Sequence, residues 1–260
     1  MELQLRESPR GVGLVLMLTR RVIVWLPLLF LSCTGRSVEP HLRIAAAASL
    51  GDVLPTLLEQ WSAQTQVSFE VTFAGSGELA AQTRHGAPFD LLFLASQAPL
   101  RDLHELGLLQ SRVLAGPSNR LVWLRHSGES VHQRVAIGSP GVPAGDAARA
   151  WLEAQPTRFS DSTVAAVTQS DLSLIEFPHV RSVLAAVESG ACSYGFVYAT
   201  DVQSTSSNTR VLFSDDRPKG RVVYGLAVPK RASFPSQAQQ LAHWLQRQQD
   251  AWHAAGFLND

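Results

Sequence analysis

Two serines stand where a short apolar strand runs into the next helix, and that placement is the main chemistry this chain offers. Ser49 follows Ile44-Ala45-Ala46-Ala47-Ala48 and precedes a helical stripe of Leu50, Val53, Leu54, Leu57, Leu58 and Trp61. Ser76 lies in Ala74-Gly75-Ser76-Gly77, after the alternating segment 67–73 and before a helix through Leu79 and Ala80. Helix N-termini expose unpaired N–H groups and partial positive charge, so two that converge make an anion site. The turn Gly138-Ser139-Pro140-Gly141-Val142-Pro143-Ala144-Gly145 presents the Ala144 N–H at a third helix start. Pro178-His179-Val180-Arg181 opens a fourth, with a stripe of Val180, Val183, Leu184 and Val187 and a stop at Gly190. Gly195-Phe196-Val197-Tyr198 is a strand that ends in a phenol hydroxyl. Together these groups predict capture of an anion by N–H and O–H donors, and no reaction.

Each residue also has a plainer reading. Ser49, with Asp52 three positions on, has the form of an N-cap and an acidic first turn. Tyr198 alone reads as a core-edge residue with a satisfied hydroxyl. Asp90 is expected to tie down the Gly86-Ala87-Pro88 turn or cap backbone, and Arg181 to be a salt-bridging helix residue. A serine hydrolase is the alternative from another class. It has no Gly-x-Ser-x-Gly elbow, and no His stands in a recognisable relation to Ser49 or Ser76. An iron carrier would use closely placed tyrosines, and Tyr194 and Tyr198 share one strand face.

The elements that position these groups alternate strand and helix. Strands are expected at 42–47, 67–73, 89–94, 120–124, 135–138, 194–198, 210–213 and 222–228. Helices are expected at 50–64, 77–85, 98–106, 144–154, 180–189 and 236–255. Residues 155–174 carry no clear pattern, and Pro55 is expected to kink the first helix. Such alternation predicts an α/β architecture with mostly parallel sheets.

The chain has 260 residues, 45% of them hydrophobic, which suffices for one or two α/β lobes. Its 22 basic and 22 acidic residues cancel, which argues against a nucleic-acid partner. The closest His pair, His126 and His132, lacks a helical metal-ligand spacing. No metal ligated directly by side chains and no cofactor are expected.

The N-terminus reads as an export signal over residues 1–33. Arg20-Arg21 precede an apolar run from Val22 to Leu31 that is too short to span a bilayer, and small residues follow. Met17 is the better start. Leu29-Phe30-Leu31-Ser32-Cys33 has the form of a lipobox with Phe30 off-pattern, which makes Cys33 the candidate for lipidation and leaves Cys192 as a small buried residue.

Six segments in order resemble the periplasmic molybdate-binding proteins of bacterial ABC importers. They are Ala46-Ala47-Ala48-Ser49-Leu50, Phe73-Ala74-Gly75-Ser76, Gly86-Ala87-Pro88-Phe89-Asp90-Leu91, Val142-Pro143-Ala144-Gly145, Val180-Arg181 and Val197-Tyr198. The resemblance implies a two-lobed α/β periplasmic-binding-protein-like fold, each lobe a mostly parallel sheet flanked by helices, with the ligand in the cleft. It implies a non-enzymatic binding protein for molybdate and tungstate that acts as a monomer outside the cytoplasm. Its partner would be an ABC permease with ATPase subunits. The implied ligands, all through the oxygens of the anion, are the hydroxyls and N–H groups of Ser49 and Ser76, the N–H groups of Ala144 and Val180, and the Tyr198 hydroxyl. Lobe 1 would be 42–120 plus 221–260 and lobe 2 would be 121–220, hinged by crossover strands. This chain departs from the pattern in a shorter turn before Val142, in His179 where the family has Asn or an acid, and in the stretch 155–174. Sulfate or another oxyanion is the alternative ligand. A donor-only site rejects protonated anions, whose O–H would find no acceptor.

Overall fold

The computed structural model describes residues 39–110, 112–128, 134–154, 173–203, 205, 207–215 and 221–258. The export signal, Cys33, His132 and most of the unpatterned stretch lie outside them. Near-continuous apolar runs dictate strands buried on both faces. β1 (His41–Ala47) is one, paired in parallel with β2 (Ser68–Ala74) on one side and β3 (Leu91–Leu94) on the other. The same arrangement recurs in β5 (Arg134–Gly138), which lies parallel to both β6 (Ser173–Phe177) and β7 (Tyr194–Tyr198).

Two strands join these parallel sets and run antiparallel to their neighbours. β4 (Leu114–His126) pairs with β9 (Arg221–Ala227) up to Arg120↔Arg221. From Leu121↔Tyr198 onward it pairs with β7, and on its other side with β8 (Thr209–Ser214). The sheet order is β2-β1-β3-β9-β4-β7-β5-β6, with β8 paired to β4 off this path, so antiparallel pairs hold the middle and parallel pairs the two ends. β4 is thirteen residues long, well beyond the short strand expected at 120–124, because it serves both halves.

Helices follow the strand ends: α1 (Leu54–Thr65), α2 (Ser76–Arg84), α3 (Ala98–Glu105), α4 (Pro143–Glu153), α5 (Val180–Glu188), α6 (Ala199–Gln203), α7 (Pro235–Gln246) and α8 (Gln249–Ala254). Three sequence expectations are corrected here. After β1 the chain makes one 3₁₀ turn, Ala48–Leu50, whose N-cap is Ala47, so Ser49 is not a cap. α1 starts at Leu54 and places Pro55 in its first turn, where a missing N–H costs nothing, and no kink is needed. The C-terminal helix is two helices, and the break lets Trp252 pack edge-on against Phe93 and Phe257 while its indole N–H donates to the Leu245 carbonyl at 2.8 Å.

The core beneath β1 and β3 is aliphatic with Phe93, Tyr224, Trp252 and Phe257 as its aromatic centre. Beneath β4 and β7, Trp123 stacks on Phe196 at 5.4 Å and meets Trp151 edge-on. Asp90 caps backbone as expected, accepting the Arg43 N–H at one oxygen and the Ser233 and Phe234 N–H groups at the other. Cys192 is buried and free.

Candidate functional site

Ser49, Ser76, Ala144, Val180 and Tyr198 all line one cavity of about 10 Å³. That volume is on the scale of a single water-sized sphere, so the cavity has room for one small group. Each reaches the cavity from the C-terminal end of a strand. Ser49 and Ser76 come from the turns after β1 and β2, Ala144 and Val180 from the first turns of α4 and α5, and Tyr198 from the end of β7. Among the described residues the lining holds no Lys, Arg, Asp or Glu.

The serine hydroxyls are tied from behind. The Ala95 N–H donates to Ser76 Oγ at 3.0 Å, and because that N–H can only donate, the Ser76 proton is left for another acceptor. Ser49 Oγ lies 2.7 Å from the Tyr224 hydroxyl. Ser76 begins α2 and Gly75 is its N-cap, so neither serine caps its own helix. The Tyr198 hydroxyl is buried and has no hydrogen-bond partner among the described residues. Burial first, then Tyr224, Asp201 and Asp146, push its pKa well above the ordinary phenol value, so it remains a donor.

Charge is held one layer out. Arg181 donates to both oxygens of Asp52 at 2.8 and 3.0 Å and to Asp201 at 3.3 Å, the salt-bridging role expected for it. Burial works against its charge, but Asp201 and Asp52 outweigh that and raise its pKa. Asp201 also accepts the Tyr198 N–H at 3.0 Å, and its own pKa is raised to about 6, chiefly by burial. The network links the residues that follow Ser49, Val180 and Tyr198.

A family model for bacterial extracellular solute-binding proteins matches residues 42–258. The chain belongs to this family. The molybdate-binding protein ModA of Mycobacterium tuberculosis is 29% identical over 209 residues, 76% of each chain. Among solved structures, the substrate-binding domain of a putative molybdenum ABC transporter from Clostridium difficile is 26% identical, with a TM-score of 0.61, covering 85% of this chain and 99% of that one. The periplasmic molybdate-binding protein of Azotobacter vinelandii, at 19% identity, shares the fold with a TM-score of 0.68 over 84% of this chain and 99% of its own. The fold of this solute-binding protein is thus the two-lobed periplasmic binding fold.

Other candidate residues fall elsewhere. Tyr194 packs on Trp123 with the Arg125 guanidinium over its ring and does not line the cavity. His179 does line it, as the N-cap of α5 with Nδ1 accepting the Ser182 N–H at 3.2 Å. Among the described residues no group of three or more His, Cys, Asp or Glu is placed to hold a metal, and no helix is long and apolar enough to cross a membrane. The residues that sequence reading missed in this solute-binding protein are Tyr224 and Ala95, the partners of the two serine hydroxyls. Tyr224 sits in an ordinary apolar strand run, and only the pairing of β9 with its neighbours carries its hydroxyl behind Ser49.

Proposed function

We propose that this solute-binding protein captures molybdate, and tungstate with it, for delivery to an ABC importer. The observation that carries the reading is the convergence of five donor residues, without a lining cation, on one small cavity that contains a buried unpartnered hydroxyl. The reading assigns the hydroxyls and N–H groups of Ser49 and Ser76, the N–H groups of Ala144 and Val180, and the Tyr198 hydroxyl to the four oxygens of the anion. Each helix N-terminus contributes roughly 0.3–1 kcal/mol, and each desolvated hydrogen bond to the charged ligand roughly 1.5–3 kcal/mol. Those terms outweigh dehydration only if all donors engage together, which requires closure. The change of β4 partners at Arg120 and Leu121 supports lobes of 42–120 plus 221–260 and 121–220 that hinge on β4 and β9.

Molybdate is cargo here, and the protein works without a cofactor and without catalysing a reaction. A nucleophilic serine needs a base, and the partners of Ser49 and Ser76 are a phenol and a backbone N–H, which supports binding over hydrolysis. The protein acts as a monomer, exported by residues 1–33 and held at the membrane face by a lipid on Cys33; its presence in the membrane fraction, and release by Cys33→Ala, tests the anchor. The functional test is thermal unfolding with equal concentrations of molybdate, tungstate, sulfate and phosphate. A ligand at a thousandfold excess over its Kd stabilises the native state by about 4 kcal/mol. A shift with molybdate and tungstate alone is the expected result; a shift with sulfate alone changes the ligand, and no shift with any anion overturns the reading.

A further inference from the structure

In the lobes proposed above, Asp52 and Arg181 lie on opposite sides of the cleft, and their side chains meet. Asp52 stands three residues after Ser49, in the turn before α1, and Arg181 follows Val180 in the first turn of α5. Both Asp52 oxygens accept from the guanidinium, at 2.8 and 3.0 Å. This two-pronged geometry is the strong form of a carboxylate–guanidinium pair, and it fixes direction as well as distance. The guanidinium also donates to Asp201 at 3.3 Å. Its two acids differ in exposure: the Asp201 side chain is 0% exposed and that of Asp52 is 49% exposed. A buried carboxylate that loses its cation is costly, so Arg181 stays with Asp201, on its own lobe, whether the cleft is open or shut. Asp52 can return to water at little cost. Arg181 is thus already aimed when Asp52 arrives. Asp201 further accepts the Tyr198 N–H at 3.0 Å, which anchors the pair to the strand end that carries the cavity hydroxyl. Between α3 and α4, by contrast, a groove of about 560 Å³ remains.

We propose that Asp52 is a positioning residue for capture: docked on the Arg181 fork, it holds the closed cleft over the anion and sets how slowly the anion leaves. The proposal rests on the reading of the cavity as the anion site and on two lobes that close over it. The pair forms only as the cleft shuts, after the anion has met the open protein. Its loss therefore shows in the release rate and leaves the association rate nearly alone. A plainer role, steadying the Ser49 turn within its own lobe, would not need Arg181, and that difference can be tested.

The experiment follows release of radiolabelled molybdate from the exported protein into excess unlabelled molybdate, with association measured separately by rapid mixing. Mildly alkaline pH keeps Asp201 charged. Asp52→Ala is expected to release molybdate roughly threefold faster or more, with association within about twofold of wild type. Asp52→Glu, which keeps the charge, is expected to recover most of the difference, and Asp52→Asn serves if the Ala variant folds poorly. A second background carries Arg181→Gln with Asp201→Asn, so that cation and buried carboxylate go together and neither is left alone. There Asp52→Ala is expected to leave release unchanged. Release that is unchanged or slower in Asp52→Ala, or equally faster in the second background, overturns the proposal while wild-type binding of molybdate still stands. Wild type that binds no molybdate removes the functional reading and this inference together.

Discussion

The Tyr198 hydroxyl is the residue-scale feature that sets this cavity apart from an ordinary strand end. A buried hydroxyl without a partner costs the free protein about 1–3 kcal/mol, so its presence asks for a ligand. Tyr198→Phe is therefore expected to move two measurements in opposite senses. Molybdate affinity falls at least tenfold by calorimetry, and the unfolding midpoint without ligand holds or rises. A midpoint that falls instead would mean the hydroxyl has a structural partner.

At the scale of elements, the turns that bring α2 and α4 to the cavity meet backbone to backbone. A Cβ on Gly77, in the first turn of α2, would sit 2.8 Å from the Gly141 carbonyl oxygen, in the turn before α4. At Gly75 the same addition would fall 2.5 Å from the Pro178 oxygen, before α5. In the proposed lobes both contacts cross the cleft, so glycine here permits closure instead of easing a turn. Gly77→Ala is expected to weaken molybdate binding at least tenfold while the ligand-free protein gains up to about 1 kcal/mol from the better helix former. Unchanged affinity would show that the cleft closes without that approach.

For the whole molecule, stability is tied to pH through Asp201. Its carboxyl titrates near pH 6 in the folded protein, raised from 3.8 chiefly by burial, with the Tyr198 N–H and Arg181 pulling the other way. The folded state therefore binds more protons than the unfolded state between those values. The stability that this carboxyl contributes is fully present below about pH 3.8, is lost as pH rises through about 6, and changes no further above. At about 1.4 kcal/mol per unit the loss is about 3 kcal/mol. Urea midpoints across this range should fall for wild type relative to Asp201→Asn, which keeps an oxygen for the Tyr198 N–H and carries no charge; parallel curves for the two would contradict the assignment.

Much of this molecule was legible in the one-dimensional pattern because strand and helix signals are local. The apolar runs at β1 and β3, the stripe of α5 and the turn before α4 each declare themselves within a dozen residues. That Ser49, Ser76, Ala144, Val180 and Tyr198 would come to one place was legible for the same reason, since each sits where a strand gives way to a helix, and all five line one cavity. Local pattern misjudged the joint itself. Ser49 and Ser76 have the composition of caps, but the 3₁₀ turn after β1 and the Gly75 cap of α2 free both hydroxyls for other partners. Only the tertiary structure decided what those partners are. Tyr224 meets Ser49 across 175 positions of chain and Ala95 meets Ser76 across 19. Hydrogen-bond direction depends on such distant contacts, because a hydroxyl becomes a donor or an acceptor according to what the rest of the fold has already placed against it.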